Sequence, residues 1–224
     1  MKRGRQSRNL VSTKSGEDHS GEIMNYSSWQ YMQGRLQSIE EQVNAITDLD
    51  VEDLLEIGMG SGLFRFIMQK TCRVVSMDLD DDLNPDVHAS ILDPFPFDDG
   101  SFDCIVAFEV FEHVPLKHLD KILNETKRVT RRYLVFSVPD REWYVRMGCT
   151  SNYFNFNGLA SIPRLCKKLK PVDTYQGDRH YWHIGDQGVS RQKIRNIIYS
   201  SGLQLIADYR YTTFPEHHIF ICKK

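Results

Sequence analysis

The feature that most constrains the fold is a regular alternation of strand-like and helix-like segments that begins at residue 51. Strand–helix–strand units close in a right-handed crossover, so this alternation predicts a mostly parallel sheet with helices on both faces. The predicted strands are residues 51–57, 73–78, 87–91, 103–109 and 133–138, and the predicted helices are residues 63–70 and 116–129.

The end of the chain shows a different pattern. Residues 203–210 and 217–222 form two further strand-like runs, and Pro215 lies in the turn between them. This arrangement predicts a closing antiparallel hairpin. His217 and His218 open the last strand, where we expect them at the surface.

The remaining segments divide the chain into parts. Residues 1–24 are polar and predict a disordered tail. Residues 25–50 show apolar spacings of three and four and predict an amphipathic N-terminal helix. Residues 51–224 form the main domain. Within it, residues 139–188 lose the alternation and are rich in aromatic residues, which indicates a cap over a substrate site.

Charge and apolar content exclude several classes of protein. Lys plus Arg number 28 and Asp plus Glu number 30, a near-balance that argues against a nucleic-acid coat or a polybasic membrane binder. No run approaches the roughly 18 apolar residues of a membrane span, and no apolar signal core opens the chain. The five cysteines contain no C-x-x-C pair, which indicates reduced thiols. These observations predict a cytoplasmic protein.

A glycine-rich turn follows the first predicted strand and indicates which class of ligand the protein binds. Residues 56–62 read E-x-G-x-G-x-G, and Leu63 stands where a dinucleotide-binding turn has its third glycine. Glu56 would repel a pyrophosphate and attract an ammonium group. Asp78 follows Gly58 by twenty residues, the distance at which a carboxylate accepts ribose hydroxyls. The pattern predicts a nucleoside ligand with a positive group and no phosphate.

From about residue 50 to its C-terminus, the sequence resembles the class I S-adenosylmethionine-dependent methyltransferases. The segments that carry the resemblance are LLEIGMGSG, VVSMD, PFPFDDGSFDCIVAFEVFEHVP, YLVFSVP and the last two strands. The resemblance implies an α/β fold, a Rossmann-like, doubly wound, mostly parallel seven-stranded sheet with an antiparallel C-terminal hairpin. It also implies an enzyme with S-adenosyl-L-methionine as cofactor.

The resemblance further implies a set of cofactor contacts. Many family members place an aspartate beside the adenine, but that position falls on Ser90 or Ile91 here and not on Asp93. The implied contacts are Glu56, Gly58 and Gly60 against the amino-acid moiety, Asp78 on the ribose, Leu79 and Ile91 beside the adenine, and Phe108 with Glu109 behind the methionine arm.

His113 is the candidate catalytic residue, because an E-H pair after the fourth strand resembles the quinone-precursor and small-molecule O-methyltransferases. The alternative is that His113 caps the next helix or orients a loop. A metal hypothesis also stays open, although no metal ligand is assigned. Glu109, Glu112 and His113 form E-x-x-E-H, which some relatives use with a later histidine to hold a divalent cation, and His180 or His183 could supply it.

The resemblance leads to methyl transfer onto a small-molecule acceptor as the first hypothesis. RNA or protein methylation is the alternative within catalysis, with a basic track that includes Lys127, Arg128, Arg131 and Arg132. A non-catalytic cofactor-binding regulator and a nicotinamide-dependent oxidoreductase are the others. Nucleic acid and membrane partners are not expected. A homodimer is compatible with the sequence, which leaves the oligomeric state open.

Overall fold

The computed structural model describes residues 29–150, 155–162, 180–211 and 214–224. The predicted tail and part of the predicted cap lie outside the described residues. None of the described helices is both long and apolar enough to cross a membrane.

Nine strands and four helices make up the described fold. The strands are β1 (Asp53–Ile57), β2 (Arg73–Asp78), β3 (Val87–His88), β4 (Phe102–Phe108), β5 (Thr130–Pro139), β6 (Trp143–Thr150), β7 (Asn155–Ile162), β8 (Gln204–Arg210) and β9 (His217–Lys223). The helices are α1 (Trp29–Thr47), α2 (Leu63–Met68), α3 (Leu119–Val129) and α4 (Arg191–Ser200), and short 3-10 turns cover Asp81–Leu83, Phe111–His113 and Leu116–His118.

Seven strands form one sheet in the order β3-β2-β1-β4-β5-β9-β8. Neighbours are parallel except that β9 runs antiparallel to both β5 and β8. The predicted fold class is confirmed, including the antiparallel hairpin at the end. The carboxyl ends of β1, β2, β4 and β5 therefore meet at one edge of the sheet, and β9 begins at that same edge.

Side-chain alternation along the central strands builds two apolar layers. Leu54 and Cys104 pack with Phe64 and Met68 of α2 on one face of the sheet. Leu55 and its neighbours on the other face pack against α3 and α4. Each fully buried aliphatic side chain contributes about 1.5–3 kcal/mol. These two layers fix the sheet edge rigidly enough to position a site.

Most predicted elements differ from the structure only by one to three residues at their ends, and two differ for a local reason. The predicted third strand ends at His88 rather than at residue 91, because the chain turns at Ser90, whose hydroxyl accepts from the Leu92 amide at 3.1 Å. Serine side chains compete in this way with strand pairing. The predicted helix over 116–129 begins as a 3-10 turn and becomes α-helical at Leu119.

Within the predicted cap, β6 and β7 pair with each other as a separate two-stranded antiparallel sheet. Sequence periodicity did not predict this hairpin.

Candidate active site

The glycine turn after β1 has a tightly bent backbone that is open on one side. Gly58 has φ +76°, and a Cβ atom there would overlap a methyl group of Val110, which follows β4. Gly60 has φ +51°, and no heavy atom lies within 4 Å of the place where its Cβ would be. Glycine is required at both positions by the positive φ. The turn therefore contacts the loop after β4 and leaves bare backbone facing open space.

Glu56, near the end of β1, is a buried acid with an unsatisfied oxygen. Its side chain is only 3% exposed, and Oε2 has no hydrogen-bond partner among the described residues. Burial raises its pKa to about 8, against a lowering effect of Arg65 and with a smaller raising effect of Asp78. An orphaned buried carboxyl of this kind is suited to pair with an incoming cation.

Asp78 ends β2 and faces the glycine turn. Its Oδ2 accepts from the Met59 amide at 2.9 Å, and its Oδ1 accepts from the Asp80 amide at 3.0 Å. A carboxylate oxygen can accept a second hydrogen bond, so ribose hydroxyls could still bind. Leu79 beside it is 66% exposed.

Ile91 and Phe108 are both half-buried. Ile91 packs against the apolar layer of α3 and α4. Phe108 meets the ring of Phe64 edge-on with centroids 5.2 Å apart, within the layer of α1 and α2. The structure thus brings Phe108 to the carboxyl edge of β4 and ties its ring to α2.

Glu109 turns its carboxylate toward β5 and β9. Its Oε1 accepts from the Ser137 hydroxyl at 2.8 Å, and its Oε2 lies 3.3 Å from Nε2 of His217. Nδ1 of His217 lies 3.3 Å from the hydroxyl of Ser38 on α1. The backbone of Glu109 has φ +56°, which is uncommon for a residue with a side chain.

The expectation that His217 and His218 lie at the surface is wrong. His217 lies beside Glu109 with 15% of its side chain exposed, and His218 is 3% exposed. His218 sits between Asp140 and Asp208, at 3.3 Å and 2.9 Å. Because β9 is antiparallel, its first residues lie at the edge where the parallel strands end.

A second cluster joins the turn after β4 to the predicted cap. One ligand atom from each of Glu112, His113 and His180 lies within 4.8 Å of the others. Glu112 is buried and its Oε1 lies 3.9 Å from Nε2 of His180, whereas His113 is exposed and meets the His180 ring edge-on. Glu109 is not in this cluster, so only part of the E-x-x-E-H set converges.

His180 is held in place by a relay of polar contacts. Its Nδ1 lies 3.0 Å from Nε2 of the buried His183, and Nδ1 of His183 lies 3.1 Å from Asp186. Such outer contacts fix the orientation of an imidazole that binds a ligand.

A buried charge network anchors the start of the cap. Asp140 at the end of β5 accepts from Arg210 at 2.7 Å and contacts Arg191 at 2.9 Å. Burial raises the pKa of Asp140, but hydrogen bonds from His218 and Arg191 outweigh it and hold the pKa below its usual value. The base of the β6–β7 hairpin is therefore tied to β8, β9 and α4 by buried polar and charged groups.

The polar groups around Glu109 and His180 face a cavity of about 780 Å³. This volume suits a small-molecule ligand. The cavity is lined by Glu109, Pro139, Asp140, Arg141, Glu142, Trp143, Tyr144, Val145, His180, His183, Glu216 and His217. It lies at the carboxyl edge of the sheet, where open α/β folds bind ligands.

The part of the chain that contains this site matches a known family of domains. Residues 55–136, which run from β1 through β5, match the family model described as a methyltransferase domain. The chain contains a class I S-adenosylmethionine-dependent methyltransferase domain. The methyltransferase is therefore an enzyme with S-adenosyl-L-methionine as its cofactor. The orphaned oxygen of Glu56 and the open backbone at Gly60 fit that cationic ligand.

Solved structures with the same fold cover most of the methyltransferase. Magnesium protoporphyrin IX methyltransferase from Synechocystis PCC 6803 with bound cofactor is 14% identical, with a TM-score of 0.56, over 91% of this chain and 86% of that one. The N-methyltransferase NodS from Bradyrhizobium japonicum is 14% identical, with a TM-score of 0.54, over 86% and 97%. At these identities the similarity shows the fold. No curated protein matches the chain in sequence.

Proposed function

We propose that the methyltransferase transfers the methyl group of S-adenosyl-L-methionine to a small-molecule acceptor bound in the cavity at the carboxyl edge of the sheet. The main support for this proposal is the cavity between β5, β9 and the β6–β7 hairpin. Its volume of about 780 Å³ suits a small ligand. One similar structure, the magnesium protoporphyrin IX methyltransferase, also has a small-molecule acceptor in its name.

The cofactor contacts are part of the same proposal. Glu56 pairs with the ammonium group of the cofactor, and the backbone at Gly58 and Gly60 lies against its amino-acid moiety. Asp78 accepts from the ribose hydroxyls, while Leu79, Ile91 and Phe108 provide apolar contacts to the adenine and the methionine arm. This arrangement is supported by the open space at Gly60 and the exposed side chain of Leu79.

The bound cofactor supplies an activated methyl group, so the protein mainly has to hold an acceptor in line with it. The contact between Val110 and Gly58 places the loop after β4 directly against the glycine turn. This contact supports a cofactor site next to the cavity, because Glu109, which lines the cavity, directly precedes Val110. The catalytic role of His113 stays a prediction, supported by its ring contact with the cavity-lining His180.

The alternative acceptors, RNA and protein, have weaker support. Arg128, Arg131 and Arg132 of the predicted basic track are each bound to carboxylates of the chain. The hydrogen bond from Arg131 lowers the pKa of Asp103 to about 2. These pairs lie at the amino ends of β4 and β5, opposite the cavity. The other members of the track, residues 164–170, lie outside the described residues.

Labelled methyl transfer tests the proposed function. The purified enzyme is incubated with methyl-labelled S-adenosyl-L-methionine and, separately, with a low-molecular-mass cell extract, total RNA and total protein. We expect the label in the small-molecule fraction. Salt-sensitive labelling of RNA, or labelling of protein alone, would contradict the proposal.

A divalent cation is a second candidate ligand, which the convergence of Glu112, His113 and His180 supports. One carboxylate and two imidazoles suit Mn²⁺ or Zn²⁺ better than Mg²⁺, which prefers oxygen. In that site the cation would supply a Lewis acid to an acceptor oxygen or nitrogen.

We expect micromolar Mn²⁺ or Zn²⁺ to raise the Tm of chelator-treated enzyme by several degrees, because a ligand that binds only the folded state stabilises it. The measurement is thermal unfolding of the wild type and of Glu112→Gln, with His118→Asn as the control outside the cluster. An equal shift in all three proteins, or no shift in any, would end the metal hypothesis.

A further inference from the structure

Glu109 stands apart from the other carboxylates of the site in its backbone conformation. It directly follows β4 with φ +56°, a conformation that is costly for a residue with a side chain. Its amide donates to the Ser137 carbonyl at 3.1 Å, which holds the bend against β5. Such strain persists where the surrounding structure fixes it, and it directs the Glu109 carboxylate toward the cavity.

Both oxygens of Glu109 are positioned by polar groups of the surrounding elements. Ser137, on β5, donates to Oε1, and Nε2 of His217, on β9, faces Oε2. His217 is oriented in turn by Ser38, which accepts from Gln42 at 3.0 Å. These contacts hold the Glu109 carboxylate in one orientation at the cavity wall.

The other carboxylates of the cavity lie in different surroundings. Asp140 and Glu142 are paired with Arg191, at 2.9 Å and 2.8 Å. Arg141 and Glu216 carry opposite charges at the cavity wall. Trp143 lines the same cavity with 58% of its surface exposed. An indole face and a carboxylate together favour a cationic ligand with an apolar body.

We propose that Glu109 is the acceptor-binding carboxylate and that the acceptor is an amine, bound as its ammonium form. This inference rests on the proposed function. An alcohol is a poorer match, because a carboxylate is too weak a base to generate an alkoxide. Once the bound ammonium has lost a proton, the neutral amine needs no further activation.

The transfer balances with the groups present. The ammonium nitrogen gives one proton to the Glu109 carboxylate, and its lone pair then attacks the methyl carbon of S-adenosyl-L-methionine. The carbon–sulfur bond breaks and its electron pair stays on sulfur, which leaves S-adenosylhomocysteine. The product is the N-methylated ammonium, and Glu109 returns its proton to bulk solvent when the product leaves.

The test uses the full chain and identifies both the product and the residue. The labelled product from the small-molecule extract is purified, and mass spectrometry and NMR determine whether the new methyl group is on nitrogen or oxygen. We expect N-methylation. We also expect Glu109→Gln to lower kcat/KM for that acceptor by roughly tenfold or more, the size of a lost charged hydrogen bond.

Two controls separate acceptor binding from folding and from cofactor binding. Glu40→Gln removes an exposed carboxylate from α1 and should leave kcat/KM unchanged. Glu109→Gln should keep its affinity for S-adenosylhomocysteine and its Tm, because glutamine can still accept from Ser137.

A second variant covers the case in which Glu109→Gln does not fold. His217→Asn removes the imidazole beside Glu109 and should raise KM for the amine more than it lowers kcat.

Different results would overturn the proposed function and the amine assignment. No label in any small molecule would overturn the proposed function and this inference with it. Labelled methyl ethers or esters, or full amine activity in Glu109→Gln, would overturn only the amine assignment.

Discussion

Asp78→Ala is expected to weaken binding of S-adenosyl-L-methionine by about 30-fold to 1000-fold, which corresponds to about 2–4 kcal/mol. The substitution removes the proposed acceptor of two ribose hydrogen bonds. It also removes the bond from the Met59 amide that ties the glycine turn to β2. Isothermal titration calorimetry of the cofactor and of S-adenosylhomocysteine measures the loss.

Asp81→Ala is the matched control for Asp78→Ala. It removes one negative charge from the same acidic run, from a side chain that is 78% exposed. Its cofactor affinity should stay within about twofold of the wild type, since a well-exposed charge contributes little. Equal affinity in Asp78→Ala and Asp81→Ala would mean that the ribose lies elsewhere.

Glu56→Gln is expected to weaken cofactor binding by about 10-fold to 100-fold, because the neutral amide cannot form an ion pair with the ammonium group. The wild type should also show a proton linkage. Its carboxyl has a pKa of about 8 before the cofactor binds, so binding of the ammonium expels a proton. Affinity should therefore rise from about pH 6 toward about pH 8, and this slope should disappear in Glu56→Gln.

Stability without cofactor should change with pH in the opposite direction. Because the folded pKa of Glu56 lies above the unfolded value of 4.5, the folded state binds more protons between that value and about 8. The free energy of unfolding therefore falls as pH rises through this window. In thermal unfolding, stability of Glu56→Gln should no longer fall with pH through this window. Glu52→Gln changes an exposed neighbour and should keep the pH dependence of the wild type.

Local pattern was sufficient for most of the fold. β1, β4 and most of β5 are buried apolar runs, β2 is partly buried, and the glycine turn follows β1 where the spacing predicted it. The predicted third strand is longer than β3 for two reasons. β3 lies at the edge of the sheet and pairs with one strand, and the Leu92 amide donates to the Ser90 hydroxyl instead of to a strand. The β6–β7 hairpin lacks a predictive period because, among the described residues, its strands pair only with each other.

His217 shows what local pattern could not supply. A histidine at the start of a strand looks like a surface residue when the strand is considered alone. Its place in the site depends on β9 running antiparallel beside β5, so that His217 pairs with Pro139 at the active edge. The predicted closing hairpin contained that signal, since a reversed last strand starts where the parallel strands end.

The E-x-x-E-H hypothesis failed in part for a different reason. Spacing of three residues brings side chains together only on a helix. Here Glu109 has a left-handed backbone and the 3-10 turn begins at Phe111, so Glu109 and Glu112 point to different neighbours. The strained bend thus separates two acids that the sequence suggested as one ligand set.

The interlock of Gly58 with Val110 has a consequence for variation at position 58. A methyl group of Val110 fills the space above Gly58, so the glycine turn and the loop after β4 share one van der Waals surface. Even an alanine at position 58 would overlap that methyl group. The residues at positions 58 and 110 can therefore change in size only together.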